Sequence, residues 1–301
     1  MTTTTVPARA AGSVSLRKQR TRPADLAFKL ALQACLLIAF AFLVSLIVFA
    51  VYQGWPRLDS RLWTDMPTSR ISRIDTAGVQ SAIFGTIWVI TATAAICLPT
   101  GIAAAVYLEE YADNTRWYNR LLELNIQNLA GVPSILYGIL GLGVIARGFG
   151  LGFTVITAAI TLALLVLPIV IISTREAIRA VPNSIRQGSY ALGATKWQTT
   201  RRQVLPAAIP GMATGSILAL SRAIGEAAPL LLLGASTTIL FNPDGLDSSY
   251  TTLPIQIFNL IKQPSEEFHQ LAWAAIVLLL GIVLIMNSAA IFIRNKFQKR
   301  I

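Results

Sequence analysis

One histidine, His269, and two cysteines, Cys35 and Cys97, are all the imidazole and thiol in 301 residues. Structural metal centres draw on several such ligands, so no metal site is expected. Both cysteines lie inside apolar stretches, where a thiol behaves as a small buried hydrophobe, and no disulfide is expected either. Charge is scarce too. Asp, Glu, Lys and Arg make up 13% of the chain and hydrophobic residues 54%, whereas a soluble domain carries about 25% charged residues. An ordinary soluble domain is therefore excluded, and a membrane protein is expected. No GxxxxGK[ST] phosphate loop is present, the nearest approach being Gly193-Ala-Thr-Lys196, so this chain is expected to bind no cofactor and to leave any ATP to a partner. No nucleophile–base constellation points to an enzyme. The net charge of +11 would suggest nucleic acid in a soluble protein. Here the basic residues cluster between apolar runs, and membrane topology accounts for them without a nucleic-acid partner.

Six apolar stretches, near 28–52, 80–108, 126–147, 152–174, 208–240 and 270–293, are long enough to cross a hydrocarbon core, which takes about 20 helical residues. Residues 1–27 are Thr- and Ala-rich, carry Arg9, Arg17, Lys18, Arg20 and Arg22, and read as a disordered basic tail. A signal peptide is the competing reading. The apolar run from Leu30 to Tyr52 is too long for one, and no A-x-A site follows it. Residues 28–301 then form an all-α transmembrane domain of six helices. The basic tail, the loop bearing Arg175, Arg179, Arg186, Lys196, Arg201 and Arg202, and the C-terminal Arg294, Lys296, Lys299 and Arg300 fall on one side if there are six spans. The positive-inside rule makes that side cytoplasmic, so both termini are expected inside. Segment 53–79 fits less well, with Arg57, Arg61, Arg70 and Arg73 set against Asp59, Asp65 and Asp75.

The loop between spans four and five, about 182–206, holds two capping-box patterns, Ser184-x-x-Gln187 and Thr195-x-x-Gln198. In each, the hydroxyl accepts from an early backbone N–H while the Gln reaches back to the cap. Two short helices are expected, meeting at Gly193, which can take the left-handed conformation. Pro206 is expected to end the second. Glu109, Glu110, Asp113, Arg116, Arg120 and Glu123, between spans two and three, read as a solvated helical face. In span three, Asn128-Leu-Ala-Gly-Val-Pro-Ser-Ile-Leu-Tyr-Gly-Ile-Leu-Gly contains Pro133 and three glycines. Either the backbone breaks there and faces a pathway, or the glycines permit close helix packing. The segment from Phe241 to Gln270 has room for a short helix around Leu253 to Ile261, which either docks an external partner or covers the bundle.

Arg222 and Glu226, four residues apart, share one helix face inside an otherwise uncharged span. Each charge at mid-membrane costs about 2.5–3.5 kcal/mol on the insertion scale, so the pair must face protein or water. It is either a salt bridge tying helices together or a substrate site. A guanidinium fork suits an oxyanion such as phosphate, with Glu226 neutralising Arg222 when no anion is bound.

The loop resembles the coupling segment of ABC importer permeases, whose pattern is EAA, three residues, Gly, nine residues, I-x-L-P. Gly193, Leu205 and Pro206 fall in register, whereas Gln187, Gly188 and Ser189 stand in place of EAA and Gln203 in place of Ile. Together with NLAGVPSILYGILGLG in span three and LSRAIGEAAPLLLLG in span five, ALGATKWQT in the loop makes most of the chain resemble PstA-type permeases of phosphate-specific ABC importers. The resemblance implies a type I importer permease fold in the bacterial cell membrane and half of a phosphate pathway. It also implies four kinds of partner: a related permease, two cytoplasmic ATPase subunits that bind ATP and Mg, an extracytoplasmic phosphate-binding protein, and phosphate itself. Arg222 and Glu226 match the transport pair, and Gln187, Gly193, Ala194, Leu205 and Pro206 the ATPase-coupling positions. The rival expectation is a stand-alone secondary transporter or channel for an anion.

Overall fold

The computed structural model describes residues 23–113, 115–234 and 239–297. Most of the expected disordered tail, and Lys299 and Arg300, lie outside the described residues. Residues up to Val48 form one unit and Phe49–Ile301 a second. Helix α1 (Pro23–Gly54) contains the first apolar stretch. Its side chains from Ala24 to Phe49 are exposed, Cys35 among them. Cys35 is therefore not a buried thiol as expected, and only Cys97 is buried.

Within the second unit, α2 (Arg61–Thr64) precedes α3 (Gln80–Val106), which runs on through a π turn, Tyr107–Tyr111. Next come α4 (Trp117–Ala130) and α5 (Ser134–Leu140), the latter ending in a π turn, Gly141–Gly148. Helix α6 (Val155–Arg179) leads to α7 (Asn183–Ala191) and α8 (Lys196–Thr199). A π turn, Thr200–Val204, joins α8 to α9 (Leu205–Gly225). The chain closes with α10 (Ala228–Leu232), α11 (Leu253–Ile261) and α12 (Glu266–Phe297). Among the described residues, five helices are long and apolar enough to cross a membrane, and α4 with α5, bent by 106°, makes a sixth if counted as one span.

Two of the six expected spans are not single helices. In the third, Pro133 has no N–H to give the carbonyl of Leu129, four residues back, so α4 stops at Ala130. That carbonyl accepts instead from the Tyr137 hydroxyl at 2.9 Å and from the Val132 N–H at 3.2 Å, so it is satisfied without water. In the fifth, Pro229 stands four residues after Gly225, where its ring opposes the helix, and α9 ends there. The remainder of the expected 208–240 stretch holds short α10, and residues 235–238 lie outside the described residues.

Pro206, expected to stop the second loop helix, does not. The helix from Lys196 to Gly225 is unbroken. Its hydrogen bonding has already slipped to the wider pattern at Thr200–Val204, where the N–H of Leu205 reaches Thr200 O, and this absorbs the missing proline donor.

Helices α3, α6 and α9 pack side by side, with α6 in the middle. On α9 the buried positions Ala208, Met212, Gly215, Ala219 and Ala223 recur every three or four residues, a stripe of mostly small side chains that lets backbones approach. At the N-terminal end of α6, Val155 and Ile156 donate to Ser248 O and Leu246 O at 3.0 and 2.8 Å. The segment before α11 thereby satisfies helix donors that no intrahelical carbonyl reaches. Helix α11 lies where expected, with Leu253, Ile255 and Leu260 buried and the Leu253 N–H donating to Thr86 Oγ1 at 2.9 Å. Arg57 donates to Ile74 O and Ala77 O at 2.7 and 2.9 Å. One of the arginines that weakened the charge pattern of segment 53–79 thus clamps a loop.

A Cβ at Gly215 would overlap the Ser173 side chain, whereas one at Gly281 meets nothing within 4 Å. Gly215→Val is expected to destabilise the protein in detergent by about 1–3 kcal/mol through overpacking, with Gly281→Ala neutral or slightly stabilising. Thermal unfolding of both variants checks this, and equal midpoints would contradict the α6–α9 packing.

Candidate functional site

Two regions gather the residues singled out by the sequence, and helix α8–α9 joins them. The first lies where α9 ends. Arg222 sits in its last turn, and Glu226 is the residue after Gly225, already extended at φ −78° and ψ 104°. The pair forms, Arg222 Nε donating to Glu226 Oε1 at 3.1 Å, but across a helix end rather than along a continuous face. The Arg222 side chain is 50% exposed and that of Glu226 16%. One guanidinium edge is held by the carboxylate while half the side chain stays accessible to another acceptor.

The helix break that carries Glu226 meets the other break. A Cβ at Gly138 of α5 would come within 2.7 Å of the Pro229 Cα, so only glycine allows α5 to cross α10 this closely. The motifs around Pro133 and Pro229, far apart in sequence, are thus in contact. On α9's neighbouring face, Ser221 bonds Asn287 of α12, and Thr214 accepts from Arg294 Nη1 at 2.9 Å. These polar links run along the α9–α12 seam.

The second region is α7, Gly193 and α8. Gly193 has φ +78°. Its N–H donates to Tyr190 O at 2.9 Å, and the next N–H, of Ala194, reaches back to Ser189 O at 3.2 Å. This pair of bonds is the Schellman closure of a helix C-terminus. Thr195 and Gln198 form the expected capping box at the start of α8. Ser184 and Gln187 do not form one: α7 begins at Asn183 with Pro182 as its cap and no side-chain cap bond, so Ser184 already lies inside the helix. Ser189, in the third EAA place, bridges to the buried Thr199 hydroxyl at 2.8 Å and fastens α7 to α8. The two helices border a cleft of about 560 Å³, lined by Ser184, Gly188, Leu192, Gly193, Gln198 and Arg202. Gln187 and Pro206 are exposed, Ala194 and Leu205 half-buried, and the Leu192 side chain at the tip is 89% exposed.

Behind α7 lies an ion-pair network that the sequence did not disclose. Glu110 is buried and Glu109 nearly so, 5% and 16% exposed as side chains, which corrects the expectation of a solvated face for these two, while Asp113, Arg116 and Arg120 do face solvent. Arg186 of α7 donates to Glu110 Oε1 from Nε and Nη2 at 3.1 and 2.8 Å. It also donates to Val181 O and Ile178 O at 2.7 and 3.0 Å. Arg179 grips both oxygens of Glu109 at 3.0 Å, the bidentate geometry in which guanidinium–carboxylate bonds are strongest. Arg175 joins Glu109 at 3.3 Å to Glu123 of α4 at 2.9 Å. Lys196 lies over the Tyr111 ring at 5.2 Å. Beyond the network, bonds from the Thr115 hydroxyl and N–H hold the Asp113 carboxyl below its ordinary pKa. The i, i+4 spacing of Arg175 and Arg179 was the one local signal, and it does not reveal partners more than fifty residues away.

Residues 97–299 match the family described as the binding-protein-dependent transport system inner membrane component. The chain belongs to that family. Among curated relatives of this binding-protein-dependent permease, the phosphate transport system permease protein PstA 1 of Mycobacterium tuberculosis is 33% identical over 87% of this chain and 86% of its own length. The phosphate transport system permease protein PstA of Yersinia pestis is 32% identical over 87% and 88%. Among solved structures, a chain of a bacterial alginate ABC transporter, in complex with its alginate pentasaccharide-bound periplasmic protein, superposes with a TM-score of 0.61. The match is 14% identical and covers 92% of this permease and 99% of that chain. A chain of the inward-facing MetNI methionine ABC transporter gives 0.57 at 16% identity, over 72% and 95%. The permease thus has an ABC importer permease fold and crosses the membrane several times.

Thr195→Ala removes the side-chain acceptor of the α8 cap and is expected to cost about 1 kcal/mol locally. Hydrogen exchange at the amides of residues 195–199 should quicken while that of α6 does not. Unchanged exchange would mean that the cap is dispensable.

Proposed function

We propose that this chain is one permease subunit of an ATP-driven importer that carries inorganic phosphate into the cytoplasm of a bacterial cell. It pairs with a second, related permease, and an extracytoplasmic phosphate-binding protein delivers the anion. Two cytoplasmic ATPase subunits, which bind ATP and Mg, grip the α7–α8 segment. Both termini of the chain lie on the ATPase side. The observation that carries this reading is the single helix from Lys196 to Gly225, with the Gly193 turn at one end and Arg222 at the other. Phosphate recognition is supported by relatives named as phosphate transport permeases at 32–33% identity and by the half-exposed guanidinium where α9 ends.

In this account Gln187, Gly193 and Ala194 form the surface presented to the ATPase, and Leu205 and Pro206 lie within the rod that it moves, where α8 and its π turn pass into α9. The left-handed Gly193 fixes the angle between α7 and α8. Closure of the ATPase dimer displaces the pair, and the α8–α9 rod carries the displacement to Arg222. A phosphate oxygen exchanges with Glu226 for the guanidinium: Glu226 holds Arg222 when the site is vacant and gives it up when the anion arrives. A single arginine binds well enough to admit phosphate and weakly enough to release it, as conduction demands. Two ATPase conformations with different affinity for α7–α8 then shift the permease between inward- and outward-open states.

The complex reconstituted in liposomes, with binding protein outside and ATP inside, is expected to accumulate labelled phosphate only when ATP is hydrolysed. Phosphate flux through this chain alone, driven by an ion gradient without ATP, would establish the stand-alone transporter instead. Gly193→Val forces a β-branched side chain into φ +78°, and is expected to leave membrane insertion intact while uptake per ATP collapses. Normal uptake would remove the coupling role. Arg222→Gln is expected to abolish uptake in a complex that still assembles. Failure of that variant to assemble would make the pair a structural tie.

A further inference from the structure

The coupling segment is tied sideways as well as along the chain, and the lateral tie has its own consequence. Helix α7 is covalently continuous only with α6, three residues before it, and with α8. Helices α3 and α4 are connected to it by no short stretch of chain. They are connected by charge and, for α3, by an apolar cluster around Ile178 and Val204 on which both Val106 and Ile185 pack. Arg186 of α7 spends Nε and Nη2 on Glu110, in the π turn that ends α3, Nη2 also on Ile178 O in the last turn of α6, and Nη1 on Val181 O in the link to α7. Arg175, 8% exposed, holds Glu109 of the same π turn and Glu123 of α4. Four elements therefore converge on two nearly buried guanidiniums.

We infer that Glu110 and Arg186, backed by Arg175 and Glu123, are positioning residues that make α3 and α4 follow α7 when the ATPase moves it. The inference rests on the coupling role proposed for α7. The physical reason is that neither guanidinium can slip to a new partner cheaply. Removing one member of a buried pair leaves the other charged and desolvated, and each Arg here already has acceptors on more than one element. Without the pairs, α7 would still drive α9 through α8, but α3 and α4 would follow only as far as their packing on α6 carries them. The α4–α5 break lies next to Pro229 through Gly138, so a lagging α4 leaves one wall of the pathway behind while the other shifts. The π turn Tyr107–Tyr111 continues α3 without a break, so a pull on Glu110 acts on the end of that helix.

The test measures ATP hydrolysis and phosphate uptake together in the reconstituted complex, with assembly followed by co-purification. For Glu110→Gln, hydrolysis is expected to continue while uptake per ATP falls by about twentyfold, and for Glu123→Gln by about fivefold, within the range of measured coupling energies. Arg186→Lys keeps the charge and is expected to recover part of the ratio lost in Arg186→Gln. A wild-type ratio in the assembled Glu110→Gln complex would overturn the inference. So would uptake and hydrolysis falling in proportion, which is how weakened ATPase docking would show. Should Glu110→Gln not assemble, the partly exposed Glu123→Gln decides by the same ratio. Uncoupling by Gly193→Val with none by Glu110→Gln removes this inference alone, whereas no ATP-dependent uptake by the wild type removes the function on which it rests.

Discussion

A backbone break at membrane depth is tolerated only if something other than water satisfies the freed groups, and this constraint organises the molecule. Two prolines, Pro133 and Pro229, interrupt apolar stretches that would otherwise run on as helices. The Leu129 carbonyl, which Pro133 cannot reach, accepts from the Tyr137 hydroxyl and the Val132 N–H. The two breaks lie against each other through Gly138 and Pro229, both buried, while Gly131, Pro133 and Gly225 stay exposed around that crossing. Arg222 and Glu226 are a consequence of this arrangement. A charge pair that would be costly on the lipid face of an unbroken helix sits where the helix has already stopped.

The second constraint is mechanical. Prolines at 206 and 210 would be expected to weaken the link between the loop and the charged pair, yet the helix from Lys196 to Gly225 is continuous because a π turn absorbs the first of them. At its far end the rod begins at a capping box, next to a glycine turn closed by two backbone bonds. Rotation at Gly193 would cost those bonds, so α7 and α8 keep their angle. The buried carboxylates of Glu109 and Glu110 add lateral stiffness. A displacement applied at α7 therefore has few places to dissipate before it reaches Arg222.

How legible all this was depends on the range of each signal. The apolar stretches follow from composition over about 20 residues, and they place the helices well. Thr195 and Gln198 act three residues apart and were readable for the same reason. Ser184 and Gln187 carry the same pattern without the cap, because Pro182 starts α7 two residues before Ser184 and the hydroxyl is then a residue inside the helix. Pro206 misled because a proline's effect depends on the hydrogen-bond register ahead of it, and a π turn leaves no mark in a local pattern. Glu110 was least legible of all. Its partner Arg186 is 76 residues on, and a carboxylate just past an apolar run looks the same whether water or a guanidinium faces it.

The central claim is that α8–α9 moves as one rod between the coupling turn and the anion-facing arginine. Spin labels at the exposed positions Leu192 and Leu218, in the complete complex cycled between nucleotide-free and ATP-bound states, test it by pulsed distance measurement. The Leu192–Leu218 distance should stay the same in both states, while the distance from Leu218 to a label on the partner permease changes. A Leu192–Leu218 distance that changes with nucleotide while Leu218 stays in place would mean that the turn at Gly193 opens or the helix bends at Pro206. The displacement would then never reach Arg222.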